Sequence, residues 1–281
     1  SAIPNADKTT LYTVSTDQLI LNKNNTKTQM IFKGTLSNGL LVEKTLNFTN
    51  DNYIIPFNLR LYNPTDKLIR LSDNGIGLKV NVGAGIGELQ MHTQSRYDIG
   101  VQPFAKVNNK VKMISISTKT PEYKQSGDIE WAAMETNYFF KGLVPQSSLA
   151  TTVVAKIEPF GKLTIPTLWI EIPTLELPVK ADSNLSYLFY IGPKQSEKLS
   201  ALKVPIEEIL FYHPWFGWLQ TIDLWILIIL KWLYALSKNY GVAIILISVL
   251  FKIVTFPLTH ISFKSMKGMQ KLGPEMKALQ E

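Results

Sequence analysis

The sequence predicts a mainly β protein with an α-helical end: a two-layer antiparallel β-sandwich, then two apolar helices that meet a membrane. From Leu11 to about Pro193, apolar and polar residues alternate with a period of two, and Asn, Gly, Asp and Pro punctuate the runs. After Ser196 the period lengthens, and a very apolar stretch rich in Trp extends to Leu258. Only 18% of residues are charged while 46% are apolar, where an ordinary soluble domain carries about a quarter charged residues.

Within the first region, Phe57–Tyr62 alternates cleanly and is closed by Asn63-Pro64. Leu78–Val82, Val111–Ser117, Thr152–Ile157 and Leu185–Ile191 read as further strands. Ser37-Asn38-Gly39 and Asp73-Asn74-Gly75 carry hairpin-turn chemistry, because Asn and Gly accept the positive φ that tight turns demand. Strands this numerous, without helical patterns between them, predict two packed antiparallel sheets over residues 1–195, each with one buried and one wet face.

Lys198–Leu210 reads as a short helix interrupted at Pro205, the main element of a linking segment at 196–213. Trp215, Trp218, Trp225 and Trp232, four of the six tryptophans, then crowd into one stretch. Indole favours the headgroup level of a bilayer, so the cluster marks an interface. Over residues 214–238, Gln220, Asp223, Lys231, Tyr234 and Lys238 fall within about 80° of one another at 100° per residue. One wet stripe opposite Trp225, Ile229, Trp232 and Leu236 fits a helix lying in the interface plane. A second crossing helix with its stripe turned to protein is the alternative.

Ser237-Lys238-Asn239 breaks the apolar stretch, and residues 239–259 follow as a transmembrane helix. Tyr240–Leu258 makes about 28 Å of helix at 1.5 Å per residue, which matches the hydrocarbon thickness. His260, Lys264, Lys267, Lys271 and Lys277 come next, opposed by only Glu275 and Glu281. The positive-inside tendency places residues 260–281 in the cytoplasm and the sandwich outside. Ser1 and Glu281 are expected to be cuts in a longer protein.

Lys252 is the most informative residue, a cation within the apolar run Val242–Leu258. A lysine at mid-membrane costs about 2.5–3.5 kcal/mol on insertion scales, less if its stem snorkels to the headgroups. It either reaches the headgroups or faces a water-accessible cavity between helices. Downstream, Met269, Leu272, Met276 and Leu279 recur at spacings of three and four, an apolar seam on a basic helix, with Pro274 expected to kink it. Packing against a partner helix is the plainer use of the seam; contact with nascent apolar segments is the other.

Asn239-Tyr240-Gly241, Leu250-Phe251-Lys252, Phe256-Pro257-Leu258-Thr259, Ser265-Met266 and Leu272-Gly273-Pro274-Glu275-Met276-Lys277 stand in order. Together they resemble the second transmembrane segment and first cytoplasmic helix of the YidC-type membrane protein insertases. Trp131-Ala132-Ala133-Met134, Tyr138-Phe139, Val144-Pro145 and Tyr190-Ile191-Gly192-Pro193-Lys194 are similar to signature stretches of the large periplasmic domain in the Gram-negative members.

The resemblance implies a periplasmic β-supersandwich, a linking helix, an interfacial helix and the first helix of a five-helix insertase core in the bacterial inner membrane. It implies a hydrophilic groove, open to cytoplasm and lipid, in which Lys252 stands where family members usually have arginine. Lysine keeps the charge and loses the planar fork, so a carboxylate would meet a point charge. The implied partners are nascent membrane proteins, Sec translocon components, the ribosome and the lipid bilayer, and no covalent chemistry is implied.

Other chemistries find little support. With no cysteine, disulfides, cysteine-based zinc sites and thiol nucleophiles are excluded. No metal and no cofactor are expected, since His92, His213 and His260 are too scattered for ligand spacing. Gly83-Ala84-Gly85-Ile86-Gly87 lacks the sixth-position glycine and the following helix of a dinucleotide loop, so it reads as a connection. Glu207 and Glu208 are adjacent and do not face one another on a helix. The whole chain carries a net charge of only +7, and its basic tail lacks interleaved aromatics, which suits a membrane surface or ribosome and no nucleic acid binding of its own. A second functional reading is a membrane-tethered carbohydrate-binding or mutarotase-like protein, with His92, Arg96, Asp98 and Trp131 as its candidates.

Overall fold

A computed structural model describes residues 3, 10–86, 100–117, 119–146, 151–160, 163–195, 199, 206, 208–209 and 217–278. It divides into two compact units, residues 1–210 and 211–281. The first is the expected sandwich of two antiparallel sheets. Nine strands form the larger sheet in the order β1 (Thr13–Val14), β2 (Lys27–Thr35), β3 (Leu41–Thr49), β4 (Ile54–Tyr62), β13 (Asp182–Pro193), β10 (Phe139–Pro145), β9 (Ile129–Glu135), β6 (Gln102–Val107), β7 (Lys110–Met113). Four form the smaller, in the order β5 (Ile69–Gly83), β12 (Leu163–Leu177), β11 (Thr151–Phe160), β8 (Glu122–Gly127).

Period-two alternation sets which side chains enter the core. In β4, Phe57, Leu59 and Leu61 are buried and stand opposite Tyr187, Leu185 and Ser183 of β13. Leu78, Val80 and Val82 of β5 meet Leu168, Ile170 and Ile172 of β12 in the same core. Asn63 ends β4 and is fully buried; its side-chain amide donates to the Lys67, Leu177 and Pro178 carbonyls at 2.8–3.0 Å, which satisfies a polar group that would otherwise be costly to bury. The Ser37-Asn38-Gly39 turn joins β2 to β3 as expected, with Gly39 at φ 86°.

The second turn departs from expectation. Asp73-Asn74-Gly75 lies inside β5 and joins no two strands. Asn74 (φ 52°) and Gly75 (φ 83°) form a bulge: Leu71 pairs with Leu175 and Ile76 with Pro173, so β5 spends extra residues where β12 does not. The residue chemistry demanded positive φ, and a bulge uses positive φ as well as a hairpin does.

The larger sheet is buried on both faces along β6, β9, β10 and β13. Ala132, Met134 and Leu143 point to the inter-sheet core. By alternation, Phe104, Trp131, Ala133, Phe140 and Tyr190 point the other way, and these too are buried. Leu199, Ile206 and Ile209 are buried with them, and a Cβ built on Gly142 would lie 3.1 Å from Ile206 Cδ1. The expected short helix at 198–210 falls largely outside the described residues; Leu199 is helical, and Ile206, Glu208 and Ile209 lie in 3₁₀ turns.

The second unit contains α1 (Gly217–Ser237) and α2 (Tyr240–Ala278). They are separated where the break was expected. Lys238 adopts φ 54° and its N–H donates to the Tyr234 carbonyl at 2.7 Å, and Asn239 Oδ1 caps α2 by accepting from Gly241 N–H at 2.8 Å. Leu233 of α1 packs with Ala243 and Ile247 of α2, supported by Ile226, Ile229, Leu230 and Tyr234. The Tyr234 and Tyr240 rings stack at 4.0 Å. Helix α2 continues through Pro257 and Pro274 to Ala278. Within it, Tyr240–Lys264 is long and apolar enough to cross a membrane, with mean hydropathy 2.3.

Candidate functional site

Lys252 lies on the exposed surface of α2. At 100° per residue it stands about 180° from Ala243 and about 140° from Ile247, the two residues packed against α1. The same rotation brings Ser248, Thr255, Thr259 and Ser262 within about 80° of one another and of Lys252, so one polar stripe runs along the helix face turned away from α1. Sequence reading isolated the lysine and missed the hydroxyls, although the same angular arithmetic would have found them. They are individually too weak to stand out from an apolar background.

Three of the four hydroxyls are already seated. Ser248 Oγ donates to the Ile244 carbonyl at 2.8 Å, Thr255 Oγ1 to the Phe251 carbonyl at 2.8 Å, and Thr259 Oγ1 to the Thr255 carbonyl at 2.9 Å. Each of the three keeps acceptor lone pairs, so it offers a polar contact while its own hydrogen is satisfied by the helix backbone. Farther along, Thr255, Leu258, Thr259, Ser262, Phe263 and Met266 line a shallow concavity of about 360 Å³.

In α1, Trp225, Trp232 and Leu236 are exposed, as an interfacial face requires. Ile229, expected among them, instead packs toward α2; the expected apolar face was wide enough to serve two surfaces, and its Ile229 edge is used internally. Tyr234 of the polar stripe also meets α2 through its ring. Asp223 and Lys231 lie on α1 and both have interaction partners. Trp218 belongs to the first turn of α1. Met269, Leu272 and Met276 are carried on α2, and Leu279 lies outside the described residues.

The carbohydrate reading names four residues. His92, Arg96 and Asp98 fall outside the described residues, and Trp131, the fourth, is fully buried in β9, where no ligand reaches it. Large aromatic area drove it inward. Gly83 ends β5 at φ 80°, and Gly87 lies outside the described residues. His213 lies outside them too, and His260 is exposed on α2. No metal-holding group of His, Asp and Glu occurs among the described residues.

Two lysines, Lys106 and Lys194, make ion pairs that serve structure. Lys106 Nζ lies 2.9 Å from Glu208 and 3.2 Å from Glu130. Burial pulls the ammonium's pKa down, but hydrogen bonds and charge from the two carboxylates outweigh it and hold the pKa above the usual lysine value. Glu135 contacts Lys194, yet burial prevails and raises its pKa above the ordinary carboxylate range.

Two family models cover the chain and meet within α1. The family model of the YidC periplasmic domain matches residues 1–229, and that of the 60Kd inner membrane protein matches residues 232–281. A protein of Geobacter sp. (strain M21) named Membrane protein insertase YidC is 29% identical over 280 residues, which cover 99% of this chain and 48% of that protein. One of the same name from Geotalea daltonii is 30% identical over 257 residues, covering 91% of this chain and 46% of its own. The chain thus spans about half the length of these relatives. Among solved structures, an α-galactosidase from Lactobacillus brevis aligns with TM-score 0.47 and 8% identity, over 68% of this chain and 27% of that one. With the sandwich matched to a periplasmic domain and the helical end to an inner membrane protein, the chain belongs to the YidC family.

Proposed function

We propose that this chain is the part of a membrane protein insertase that comprises a periplasmic domain (1–195), a linking segment (196–213), an interfacial helix (214–238), a transmembrane helix (239–259) and the start of a cytoplasmic helical hairpin (260–281). The observation that carries the proposal is the stripe of Ser248, Lys252, Thr255, Thr259 and Ser262 on the face of α2 opposite α1. In hydrocarbon such a face is costly; lining a water-filled groove it is stable.

The mechanism follows from membrane energetics. A hydrophilic segment crossing hydrocarbon finds no partners for its backbone and charges, so a wet groove shortens the unfavourable path. Lys252 attracts acidic residues of the translocating tail, while the hydroxyl lone pairs accept from its backbone N–H groups. Apolar sequence leaves sideways into lipid, with about 1.5–3 kcal/mol gained for each large side chain buried. Trp218, Trp225 and Trp232, with Asp223 and Lys231, hold α1 at the outer interface. The seam of Met269, Leu272, Met276 and Leu279 closes against a partner helix, and the basic end faces the cytoplasm, the ribosome and the Sec translocon. No bond is made or broken, so the activity is chaperoned insertion and not enzymatic turnover.

The test is insertion of a substrate with an acidic translocated tail by the full-length protein. Lys252→Glu is expected to reduce insertion at least several-fold, and Lys252→Arg to preserve it. Equal insertion by Lys252→Glu would overturn the proposal.

A further inference from the structure

Exposed apolar residues of the sandwich are mostly scattered aliphatics, such as Leu11, Ile20, Leu68 and Val179, which need no explanation. The aromatic ones are not scattered. Among the described residues of this unit the exposed large aromatics are Tyr53 (40%), Tyr138 (76%) and Phe139 (40%), and all three lie at one end of the larger sheet. Phe139 pairs with Pro193 at the end of β13; the Lys194 N–H donates to the Tyr138 carbonyl at 2.9 Å, and the Ile191 N–H donates to the Tyr53 carbonyl at 3.0 Å. Ile191, 36% exposed, completes the group.

The end is firmly built. Gly192 leaves room for the Tyr53 ring, whose atoms would lie 2.5–2.9 Å from a Cβ at that position. Tyr53 also meets Tyr190 edge-on at 6.2 Å, and the Tyr190 hydroxyl donates to the Pro193 carbonyl at 2.7 Å. Thr136 caps the β9–β10 turn, its hydroxyl accepting from the Phe139 N–H at 3.2 Å and its N–H donating to the Phe139 carbonyl at 3.0 Å. The aromatic surface is therefore held outward by a rigid frame.

We propose that this end, Tyr53, Tyr138, Phe139 and Ile191, is a lipid-contact surface that touches the headgroup region of the bilayer. Two arguments select lipid. Tyrosines with an apolar body and a polar tip, beside Phe and Ile, are the composition of membrane-interface belts. The second is tethering: residues 210–216 alone join the buried Ile209 to α1, a link of at most about 30 Å when extended. A surface tethered that closely meets lipid at high effective concentration, so a few half-exposed side chains suffice where a free domain would need many.

The inference rests on α2 spanning the membrane, and the experiment separates the two. The chain has no cysteine, so single cysteines can carry an environment-sensitive fluorophore without background. We would label Tyr138→Cys, Ser37→Cys at the opposite end of the sandwich and Val249→Cys in α2. Each full chain is placed in phosphatidylcholine–phosphatidylglycerol nanodiscs with quenchers at headgroup or mid-chain depth. Position 249 is expected to be quenched by the mid-chain probe, position 138 by the headgroup probe at least threefold more than position 37, and position 37 by neither. Adding Tyr53→Ser and Phe139→Ser is expected to return position 138 to the level of position 37, which shows that the protein surface and not the dye drives contact. Quenching at 249 with equal signals at 138 and 37 overturns the proposal alone. An unquenched 249 removes the span and the proposal together. A blue-shifted label at 138 that no lipid probe quenches assigns the surface to a protein, such as a second copy, and also overturns it.

Discussion

Lys106 in the sandwich and Lys252 in the helical unit are both lysines set among apolar residues, and they are treated oppositely. Lys106 is 4% exposed and is held by two carboxylates, one on its own sheet and one on the segment that follows the sandwich. Lys252 forms no ion pair with any described residue and shares its helix face with neutral hydroxyls. A matched cation fastens parts of a fold together. An unmatched one in a membrane-crossing segment carries an insertion cost of about 2.5–3.5 kcal/mol, and the proposed groove is what offsets it. The lesson is that a charge in an apolar context is read by its partners, not by its burial.

Substitutions should separate the two settings, beginning on the sandwich side. Trp131 stands opposite Lys106 across β6 and β9 and is fully buried. Trp131→Ala is expected to cost about 4 kcal/mol, measured by urea unfolding followed through β-sheet circular dichroism. Lys106→Ala leaves Glu130 and Glu208 facing each other without a cation and is expected to cost about 3 kcal/mol, lowering the sandwich Tm by about 9 °C. Lys252→Leu should act with the opposite sign. It makes membrane integration of the 240–258 segment more favourable by about 3 kcal/mol in a glycosylation-mapped insertion assay, and it leaves the sandwich Tm unchanged. A Lys252→Leu variant that integrates no better would mean the lysine already escapes to the headgroups.

Smaller effects test the frames around these lysines. Burial pushes the Tyr190 phenol from its ordinary value near 10 up to about 12. Because the folded-state pKa is the higher one, this contribution is complete below pH 10 and is lost as pH rises through 12. The urea midpoint of the sandwich should fall across that window, and fall less in Tyr190→Phe. Asn239→Ala removes the cap of α2 and should cost about 1 kcal/mol of helical stability in detergent, read as loss of helical signal on heating.

Much of this architecture was legible in the residues, because alternation over strands such as Phe57–Tyr62 and the break at Ser237-Lys238-Asn239 are local signals. The bulge at Asn74-Gly75 was misread as a hairpin, since both features ask for the same φ and only the partner strand distinguishes them. The second buried face, behind Trp131 and Phe140, was invisible because nothing local says that residues near 206–209 return to cover it. At the candidate site Lys252 stood out by charge alone. Its hydroxyl companions share its face by helical spacing alone, but that this face is turned away from α1 needed Ala243 and Ile247, and the division of α1 among Ile229, Trp225 and Trp232 likewise needed the helix partner.

The bulge has one further effect. β5 is a margin of the smaller sheet, with 15 residues, and among the described residues no strand pairs with its outer side. A straight margin of that length is a template onto which another copy can zip, and Asn74 and Gly75 bend it midway so that no long strand can lie along it.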